Sequence, residues 1–246
     1  MPPGAGKRVA FYAPMKPPHH PVPSGDREIA RNLMGLLSGS GADVQLASDL
    51  RVYDKRGNAE IQAEMRQRAD EETARLIREM PETDLWVTYH NYYKAPDLIG
   101  PAVARARGIP YVQIESTRAK KRLTGPWSGF AEAAHAAADA AAAIFYFTEQ
   151  DRFALNRDRC GGQTLTHLPP FLPLEALPGK STLDGPMLAA GMMREGDKLH
   201  SYRIIAEALT HLPGSWRLDI AGDGPGRPKV ETLMAPFGSK VRFLGQ

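Results

Sequence analysis

The sequence predicts an α/β protein with two successive parallel sheets, and three observations predict this class. Short runs of β-branched and aromatic residues alternate with helical patterns along most of the 246 residues. A proline-rich stretch interrupts the alternation once, and the same alternation then restarts. A helix separates each strand from the next, which is the connection that parallel strands need.

Five strands are predicted in the first part of the chain, and four helices connect them. The strands cover residues 8–13, 43–47, 85–89, 110–114 and 143–148. The helices cover residues 26–37, 59–80, 96–107 and 130–142. Ser24 is expected to cap the first helix, and Gly108 is expected to end the third. The first helix should pack on the sheet through one apolar face, made of Ile29, Leu33, Leu36 and Leu37.

Three more strands follow the proline-rich stretch. They cover residues 186–193, 216–221 and 241–244, and the helices between them cover residues 199–211 and 230–237. We therefore predict a first domain at 1–170, a linker at 171–185 and a second domain at 186–246. A domain of about 60 residues buries little core and leaves a strand edge unpaired. The second domain is thus expected to be incomplete, and its last strand is expected to favour self-association.

Composition excludes several classes of protein. The net charge of +3 and the pI near 9.0 favour anionic ligands without indicating nucleic acid. The single cysteine, Cys160, has no partner for an internal disulfide, and no spaced cysteines and histidines suggest a zinc site. No apolar run reaches the roughly 20 residues of a membrane span, and the N-terminus lacks a secretory signal. We expect a cytoplasmic protein with no metal and no nucleic-acid partner.

Two common nucleotide-binding motifs are absent. The early stretch GAGKR lacks the first glycine and the Ser/Thr of a P-loop, and no strand precedes it. No Gly-x-Gly-x-x-Gly follows any predicted strand, which argues against an NAD-dependent oxidoreductase.

Lys198 lies in the stretch GMMREGDKLHSY, where a strand end, a glycine and a short turn precede a helix. Backbone N–H groups at a helix N-terminus and a nearby ammonium together form an anion site, and a diphosphate is its natural ligand. A solvated lysine in the first helical turn is the alternative interpretation.

A second loop, GDGPG at residues 222–226, ends the next strand. Glycines allow a ligand to approach the backbone closely at the carboxyl edge of a parallel sheet. A simple turn explains the same residues equally well. Two such loops on adjacent strand ends nevertheless favour a ligand site.

These two loops and the stretches around them resemble the donor domain of group 1 glycosyltransferases. The stretches are IAEAL, WRLDIAGDGP and VRFLGQ. The opening stretch RVAFYAPMKPPHHPVPSGDR resembles the first strand and the acceptor-side loop of the same family. The resemblance implies two facing Rossmann-like domains of the GT-B type and a retaining hexosyltransferase. It also implies a nucleotide-sugar donor as substrate, with no cofactor and no metal.

The resemblance further implies the residues that bind the donor. Lys198 is expected to bind the diphosphate, and Gly222, Asp223 and Gly224 are expected to lie near the nucleotide. Met192 stands where the family places an arginine, so either Arg194 replaces that arginine or its contact is lost. The family's paired glutamates, which hold the donor ribose and sugar, do not occur in this sequence. We therefore expect a chain that is truncated at its C-terminus.

Ser24, Gly25 and Asp26 open the first helix at the expected cleft, where they could meet the donor phosphate or the acceptor. Plain N-capping is the alternative role. His90 follows the third strand, beside Tyr92, Tyr93 and Lys94, in a group of polar and aromatic side chains suited to a sugar. A structural histidine is the alternative interpretation there.

Glu115 ends the fourth strand, at a position where many members of the resembling family have a histidine near the acceptor. A carboxylate there could stabilise an oxocarbenium-like transition state or orient the acceptor hydroxyl. A hydrogen-bonded acid at a strand end is the alternative. With these alternatives open, His90 and Glu115 are the predicted catalytic residues.

A basic run, TRAKKR at residues 117–122, suggests contact with an anionic acceptor or with a membrane surface. A solvated charged loop is the alternative. The prediction for the whole chain is therefore glycosyl transfer from a nucleotide sugar to a saccharide or lipid-linked acceptor. This would occur in the cytoplasm or at the inner face of the membrane. The alternative is a truncated, inactive fragment that binds nucleotide or phosphate.

Overall fold

A computed structural model describes residues 2–174 and 176–246. The chain divides into two compact units, Met1–Leu174 and Glu175–Gln246. Within the described ranges, no helix is both long enough and apolar enough to cross a membrane.

Over residues 2–174 the first unit contains six strands and five α-helices. The strands are β1 (Arg8–Tyr12), β2 (Asp43–Ser48), β3 (Leu85–Asn91), β4 (Tyr111–Ser116), β5 (Ala143–Tyr146) and β6 (Thr164–His167). The helices are α1 (Gly25–Gly39), α2 (Ala59–Glu79), α3 (Gly100–Arg107), α4 (Ser128–Ala140) and α5 (Glu149–Arg157). A short 3-10 turn also occurs at Lys120–Arg122.

All six strands are parallel, in the order β2-β1-β3-β4-β5-β6. The direction of winding reverses at β1, because β2 lies on one side of it and β3 on the other. The loops that follow β1 and β3 therefore diverge at the carboxyl edge of the sheet. This is the place where open α/β sheets bind ligands.

Hydrophobic cores on the two faces of this sheet explain its apolar strands. On one face Tyr12 and Trp86 pack edge to face, with ring centroids 6.2 Å apart. On the other face Phe11 and Leu33 are fully buried, which fixes α1 against the sheet. Strands covered on both faces are apolar throughout rather than alternating.

Three predictions for the first unit need correction. Helix α5 and strand β6 were not predicted, because β6 (TLTH) is an exposed edge strand and Leu155 is the one buried residue of α5. Leu36 is not part of the packed face of α1, since it is 50% exposed. Helix α3 starts at Gly100 rather than at 96, where the buried Asp97 carboxylate accepts the N–H groups of Ile99 and Gly100.

The second unit contains a parallel sheet of three strands in the order β7-β8-β9. Its elements are β7 (Met187–Ala190), α6 (Asp197–Thr210), β8 (Leu218–Ala221), α7 (Arg227–Met234) and β9 (Val241–Gly245). Both helices share one core with Leu218 and Ile220, so they cover the same face of the sheet. Asp219 on β8 and Arg242 on β9 form an ion pair with an N–O distance of 2.6 Å.

Candidate functional site

His90 lies between two carboxylates at the carboxyl edge of the first sheet. Its Nδ1 is 3.4 Å from Asp26 Oδ1 and 3.6 Å from Glu115 Oε2. Asp26 is in the first turn of α1, and the other two residues belong to the adjacent strands β3 and β4. Nδ1 is buried and makes no well-aligned hydrogen bond, so the imidazole is not committed to either carboxylate. The three residues, which we call the acid–base trio, surround the winding reversal of the sheet.

The backbone of this trio is unusual. His90 has φ of 65° and Glu115 has φ of 58°, and both are left-handed conformations without being glycine. The two residues are neighbours across the strands, between the pairs Tyr89↔Ile114 and Asn91↔Ser116. A left-handed residue costs about 1–2 kcal/mol. Strain of this kind persists where surrounding structure enforces it, and it concentrates at functional sites.

Hydrogen bonds of the Asn91 side chain help to hold this backbone conformation. Its buried amide donates to Ser116 Oγ at 3.1 Å and to the Ala134 carbonyl at 2.9 Å. Its carbonyl oxygen accepts the N–H of Asp97 at 3.0 Å. One side chain thus ties the end of β3 to β4, to α4 and to the loop before α3, directly beside His90.

Burial and neighbouring charges shift the pKa values of the Asp26 and Glu115 carboxyls in opposite directions. Burial tends to raise the pKa of Asp26, but the interaction with His90 and the backbone N–H more than offset it, so the pKa lies below its usual range. Burial raises the pKa of the Glu115 carboxyl, against the opposing influence of His90 and the Tyr89 hydroxyl. Burial and the nearby charges of Glu115 and Asp26 raise the pKa of Tyr89. Two carboxylates with pKa values displaced in opposite directions suit different roles in one site.

Arginines hold the proline-rich loop between β1 and α1. The Arg27 guanidinium donates to the His20 carbonyl at 3.1 Å, and Arg31 Nε donates to the Pro18 carbonyl at 2.8 Å. Ser24 Oγ accepts the N–H of Arg27 at 3.2 Å, which is the capping role left open by the sequence. Contact of Ser24 or Gly25 with a phosphate stays a prediction.

Three aromatic rings continue from His90 along the loops after β3 and β4. The ring centroids of His90 and Tyr92 are 4.7 Å apart, those of Tyr92 and Tyr93 are 5.5 Å apart, and those of Tyr93 and Trp127 are 5.8 Å apart. We call Tyr92, Tyr93 and Trp127 the aromatic row. Neighbouring rings meet at interplanar angles of 41°, 76° and 89°, and contact of these side chains with a sugar stays a prediction.

The basic run 117–122 is not one exposed patch. Arg118 is buried and pairs with Asp139 at 2.6 Å, and Lys120 pairs with Asp158 at 2.7 Å. Lys121 is exposed, and it has no ion-pair partner in the part of the chain that the structure describes. Contact of this run with a membrane surface therefore stays a prediction, with fewer free charges than the sequence suggested.

In the second unit the two predicted loops lie side by side. The N–H of Gly191 donates to Ala221 O at 2.9 Å, and the N–H of Met193 donates to Asp223 O at 2.9 Å. Gly222 (φ 133°) and Gly224 (φ 149°) face the first loop so closely that a Cβ would overlap the carbonyl oxygens of Gly191 and Met193 respectively. The glycines are therefore required for loop packing, whatever ligand approaches.

Lys198 and Arg194 are exposed beside these loops, and neither side chain has a partner among the described residues. Lys198 lies inside the first turn of α6 rather than ahead of the helix, because α6 starts at Asp197. Asp223 is engaged by the Gly224 N–H at 2.7 Å and by Arg227 at 3.0 Å, which hold the pKa of its carboxyl below the usual range. Binding of a diphosphate by these residues stays a prediction.

Over residues 2–174 and 176–246, no group of three or more His, Cys, Asp or Glu side chains is arranged to hold a metal ion. Asp26, which was expected with Ser24 and Gly25 to meet the donor phosphate or the acceptor, faces His90 in the structure. Trp127 was not predicted as a site residue, because it lies 35 positions after Tyr92 in the sequence.

Comparisons with known proteins concern the fold. No family model matches this chain, and no curated protein sequence matches it. Trehalose-6-phosphate synthase OtsA is similar in structure, with a TM-score of 0.64 at 12% identity, over 98% of this chain and 74% of that chain. Sucrose-phosphate synthase from Thermosynechococcus elongatus is also similar, with a TM-score of 0.62 at 16% identity, over 98% of this chain and 70% of that one.

The apo form of the lipopolysaccharide outer core galactosyltransferase WaaB has a TM-score of 0.55 at 13% identity, over 97% of this chain and 68% of that chain. A UDP-GlcNAc 2-epimerase is similar as well, so the likeness does not specify one reaction. The likeness does show the fold, which consists of two Rossmann-like units of the GT-B type. In this chain the second unit contributes three strands, against six in the first.

Proposed function

We propose that this protein transfers a glycosyl group from a nucleotide sugar to an acceptor hydroxyl, as a retaining hexosyltransferase of the group 1 kind. The acid–base trio is the observation that carries the proposal. Two carboxylates with opposed pKa displacements and a strained histidine lie at the ligand-binding edge of a sheet with the GT-B fold. Backbone strain that is maintained at such an edge favours a catalytic role over a purely structural one.

In this proposal the nucleotide-sugar donor binds to the second unit. A nucleoside diphosphate leaves with growing negative charge, and this charge needs stabilisation by fixed donors. Lys198, Arg194 and the N–H groups at the start of α6 supply positive potential there without a metal. The Gly222–Gly224 loop packs beside them and lies near the nucleotide.

The acceptor and the reacting sugar bind at the first unit. Glu115 stabilises the positive charge that develops on the sugar, and His90 binds the acceptor hydroxyl. Asp26 acts through His90, because its carboxylate lies 3.4 Å from Nδ1 and orients the imidazole. The aromatic row adjoins His90 through Tyr92, and we propose that the acceptor beside it is a saccharide or a lipid-linked saccharide.

Titration with UDP-sugars and GDP-sugars tests this function. We expect binding and slow release of free UDP or GDP in the absence of acceptor, and we expect His90→Ala to abolish release while donor binding persists. The matched control is His19→Ala, which changes an exposed histidine of the same unit. Binding without any release by the unmodified chain would favour a nucleotide-binding protein without transferase activity. Absence of binding to either donor series contradicts the proposal.

A further inference from the structure

The alternation of side chains along β3 reverses at His90. Trp86 and Thr88 lie on the face of the sheet that α4 covers, which we call the α4 face, so regular alternation would place His90 there as well. His90 instead approaches Asp26 of α1, and α1 packs on the opposite face, the α1 face. Asn91 lies on the α4 face in its place, where its amide donates to a backbone carbonyl of α4.

The same reversal occurs on the neighbouring strand β4. Gln113 lies on the α4 face, where its amide donates to a buried tyrosine hydroxyl at 2.7 Å. Glu115, two residues later, approaches His90 instead, and Ser116 Oγ accepts the Asn91 amide at 3.1 Å. Both reversals follow from the left-handed backbone at His90 and Glu115, because an extended strand keeps its alternation and a residue with positive φ interrupts it.

The side chain of Asn91 stabilises this reversal on the α4 face. Its amide donates to Ser116 Oγ and to the Ala134 carbonyl, and its own carbonyl oxygen accepts the N–H of Asp97. With regular alternation, Asn91 would point towards the apolar core that α1 covers. A buried amide without partners is costly. The hydrogen bonds of Asn91 therefore favour the observed directions of His90 and Glu115.

Asp97 is a buried carboxylate that the proposed reaction does not use directly. It is 2% exposed, and it forms no ion pair within the described ranges. Its Oδ1 accepts the N–H groups of Ile99 and Gly100 at 2.9 Å and 2.7 Å. Its Oδ2 accepts the hydroxyls of Thr88 and Tyr111 at 2.5 Å and 2.8 Å. The carboxylate thus fixes residue 97 to β3, to β4 and to the start of α3 at once.

The backbone of Asp97 connects this carboxylate to the acid–base trio. Its N–H donates to Asn91 Oδ1 at 3.0 Å, and Asn91 is the residue after His90. The chain between them is a tight turn, in which Tyr92 and Ala95 form backbone hydrogen bonds in both directions. A carboxylate that only began α3 would need the two backbone N–H groups. The hydroxyls from β3 and β4 and the bond to Asn91 go beyond that task.

We infer that Asp97 is a positioning residue of the acid–base trio and that it acts through Asn91, which fixes the directions of His90 and Glu115. The inference rests on the proposed function for the reaction that these residues serve. The geometry itself is a separate property of the first unit and can be measured without turnover.

Titration of the Glu115 carboxyl tests the geometry, followed by NMR of the full chain carrying carbon-13-labelled glutamate. His90 opposes the effect of burial on the Glu115 pKa, so this pKa should rise further when His90 turns away. We expect Asn91→Ala and Asp97→Asn each to raise it by about 1 or more, since a nearby opposite charge shifts a carboxyl pKa by about 1–3. Asn91→Ala changes no charge, so its effect reports position alone. Glu115→Gln assigns the signal.

Steady-state kinetics supply the second measurement. Both variants should lower kcat by up to about 100-fold and leave the KM for the donor nearly unchanged, because a small displacement of a reacting group has this effect. The matched control is Gln163→Ala, since Gln163 is a buried amide that donates to the Ala138 and Ala141 carbonyls further along α4. It should lower the melting temperature without changing kcat or the Glu115 pKa.

Two milder variants cover the case in which a variant does not fold. Ser116→Ala removes one acceptor of the Asn91 amide, and Tyr111→Phe removes one hydroxyl from Asp97. Each should raise the Glu115 pKa in the same direction by a smaller amount. Circular dichroism and thermal melting show which variants have folded.

Three outcomes overturn the inference. The first is an unchanged Glu115 pKa in folded Asn91→Ala and Ser116→Ala, and the second is an equal change in Gln163→Ala. The third is a shift in Asn91→Ala with none in folded Asp97→Asn or Tyr111→Phe, because Asp97 would then not act through Asn91. Failure of the proposed function has a different signature: the Glu115 pKa would shift as expected, while the unmodified chain turned over no nucleotide sugar.

Discussion

His90 Nδ1 lies 3.4 Å from Asp26 Oδ1, which joins the end of β3 to the first turn of α1 across the winding reversal of the sheet. These residues are 64 positions apart in the sequence. The contact places a carboxylate behind an imidazole that is 16% exposed. A carboxylate in this position orients the ring, as in other His–carboxylate pairs.

Asp26→Asn should lower kcat by about 10-fold to 100-fold and leave the KM for the donor nearly unchanged, because the amide keeps the shape but not the charge that positions His90. Steady-state kinetics measure this split. Glu28→Gln is the matched control, since Glu28 is an exposed acid in the same helical turn. An equal loss of activity in both variants would show that the charge of the helix N-terminus, rather than His90, is responsible.

Asp26 should also affect stability in a pH-dependent way. Its pKa is lowered in the folded state, so its charge contributes stability above the unfolded carboxyl pKa of about 3.9. That contribution is lost as pH falls through the lower folded pKa. Urea unfolding should therefore find Asp26→Asn less stable than the unmodified chain at pH 7, with the difference disappearing in strong acid.

Glu115→Gln should abolish turnover and stabilise the first unit at neutral pH. Burial raises the pKa of Glu115, so its folded state favours the proton, and stability is lost as pH rises through the folded pKa. A neutral amide avoids that loss. We expect the melting temperature at pH 7.5 to rise by roughly 2–4 °C, the shift that about 1 kcal/mol produces in a chain of this size.

The pH dependence distinguishes Glu115 from an ordinary surface acid. The stability difference between Glu115→Gln and the unmodified chain should shrink below the unfolded carboxyl pKa of about 4.3, where both side chains are neutral. Glu132→Gln, on the exposed side of α4, should show neither effect. A Glu115→Gln variant that is less stable at pH 7.5 would contradict the desolvation argument.

Lys198→Ala should weaken nucleotide-sugar binding by about 10-fold or more and abolish turnover, because a hydrogen bond to a charged group contributes about 1.5–3 kcal/mol. Its exposed side chain makes no contact on which the described fold depends, so the melting temperature should not change. Lys180→Ala is the matched control, as another exposed lysine of the second unit. Unchanged turnover in Lys198→Ala would remove the donor-site assignment.

Gly222→Ala should destabilise the second unit by more than about 2 kcal/mol, because the new Cβ overlaps the Gly191 carbonyl oxygen and the residue has φ of 133°. The two loops would have to separate, breaking the bond from Gly191 N–H to Ala221 O. Gly185→Ala, with open space around its Cβ, should change stability by less than about 0.5 kcal/mol. Thermal melting followed by circular dichroism compares the two variants with the unmodified chain.

Most strands could be predicted from the sequence because each buried strand is a short apolar run between helical patterns. Strand β6 was missed for the opposite physical reason, since Thr164 and His167 are exposed and carry no such pattern. Ser24 was predicted as a helix cap and is one, because capping depends on residues three positions apart. The sequence therefore predicts best what neighbouring residues decide.

His90 and Glu115 were predicted as site residues, yet their shared left-handed backbone could not be predicted. That conformation exists because the two strands lie side by side and Asn91 ties them to β4, α4 and the next loop. The pairing of Asp26 with His90 and that of Arg122 with Tyr93 and Trp127 depend likewise on the order of strands in the sheet.

The sequence by itself determined the α/β class, the alternation of strands and helices and the glycine-rich loop after β8, because local pattern and local sterics specify these features. Only the tertiary structure decided which acids face His90, which cations remain without a carboxylate and why Gly222 must be glycine. Each of these depends on side chains that are distant in the chain and meet only when parallel strands align their carboxyl ends.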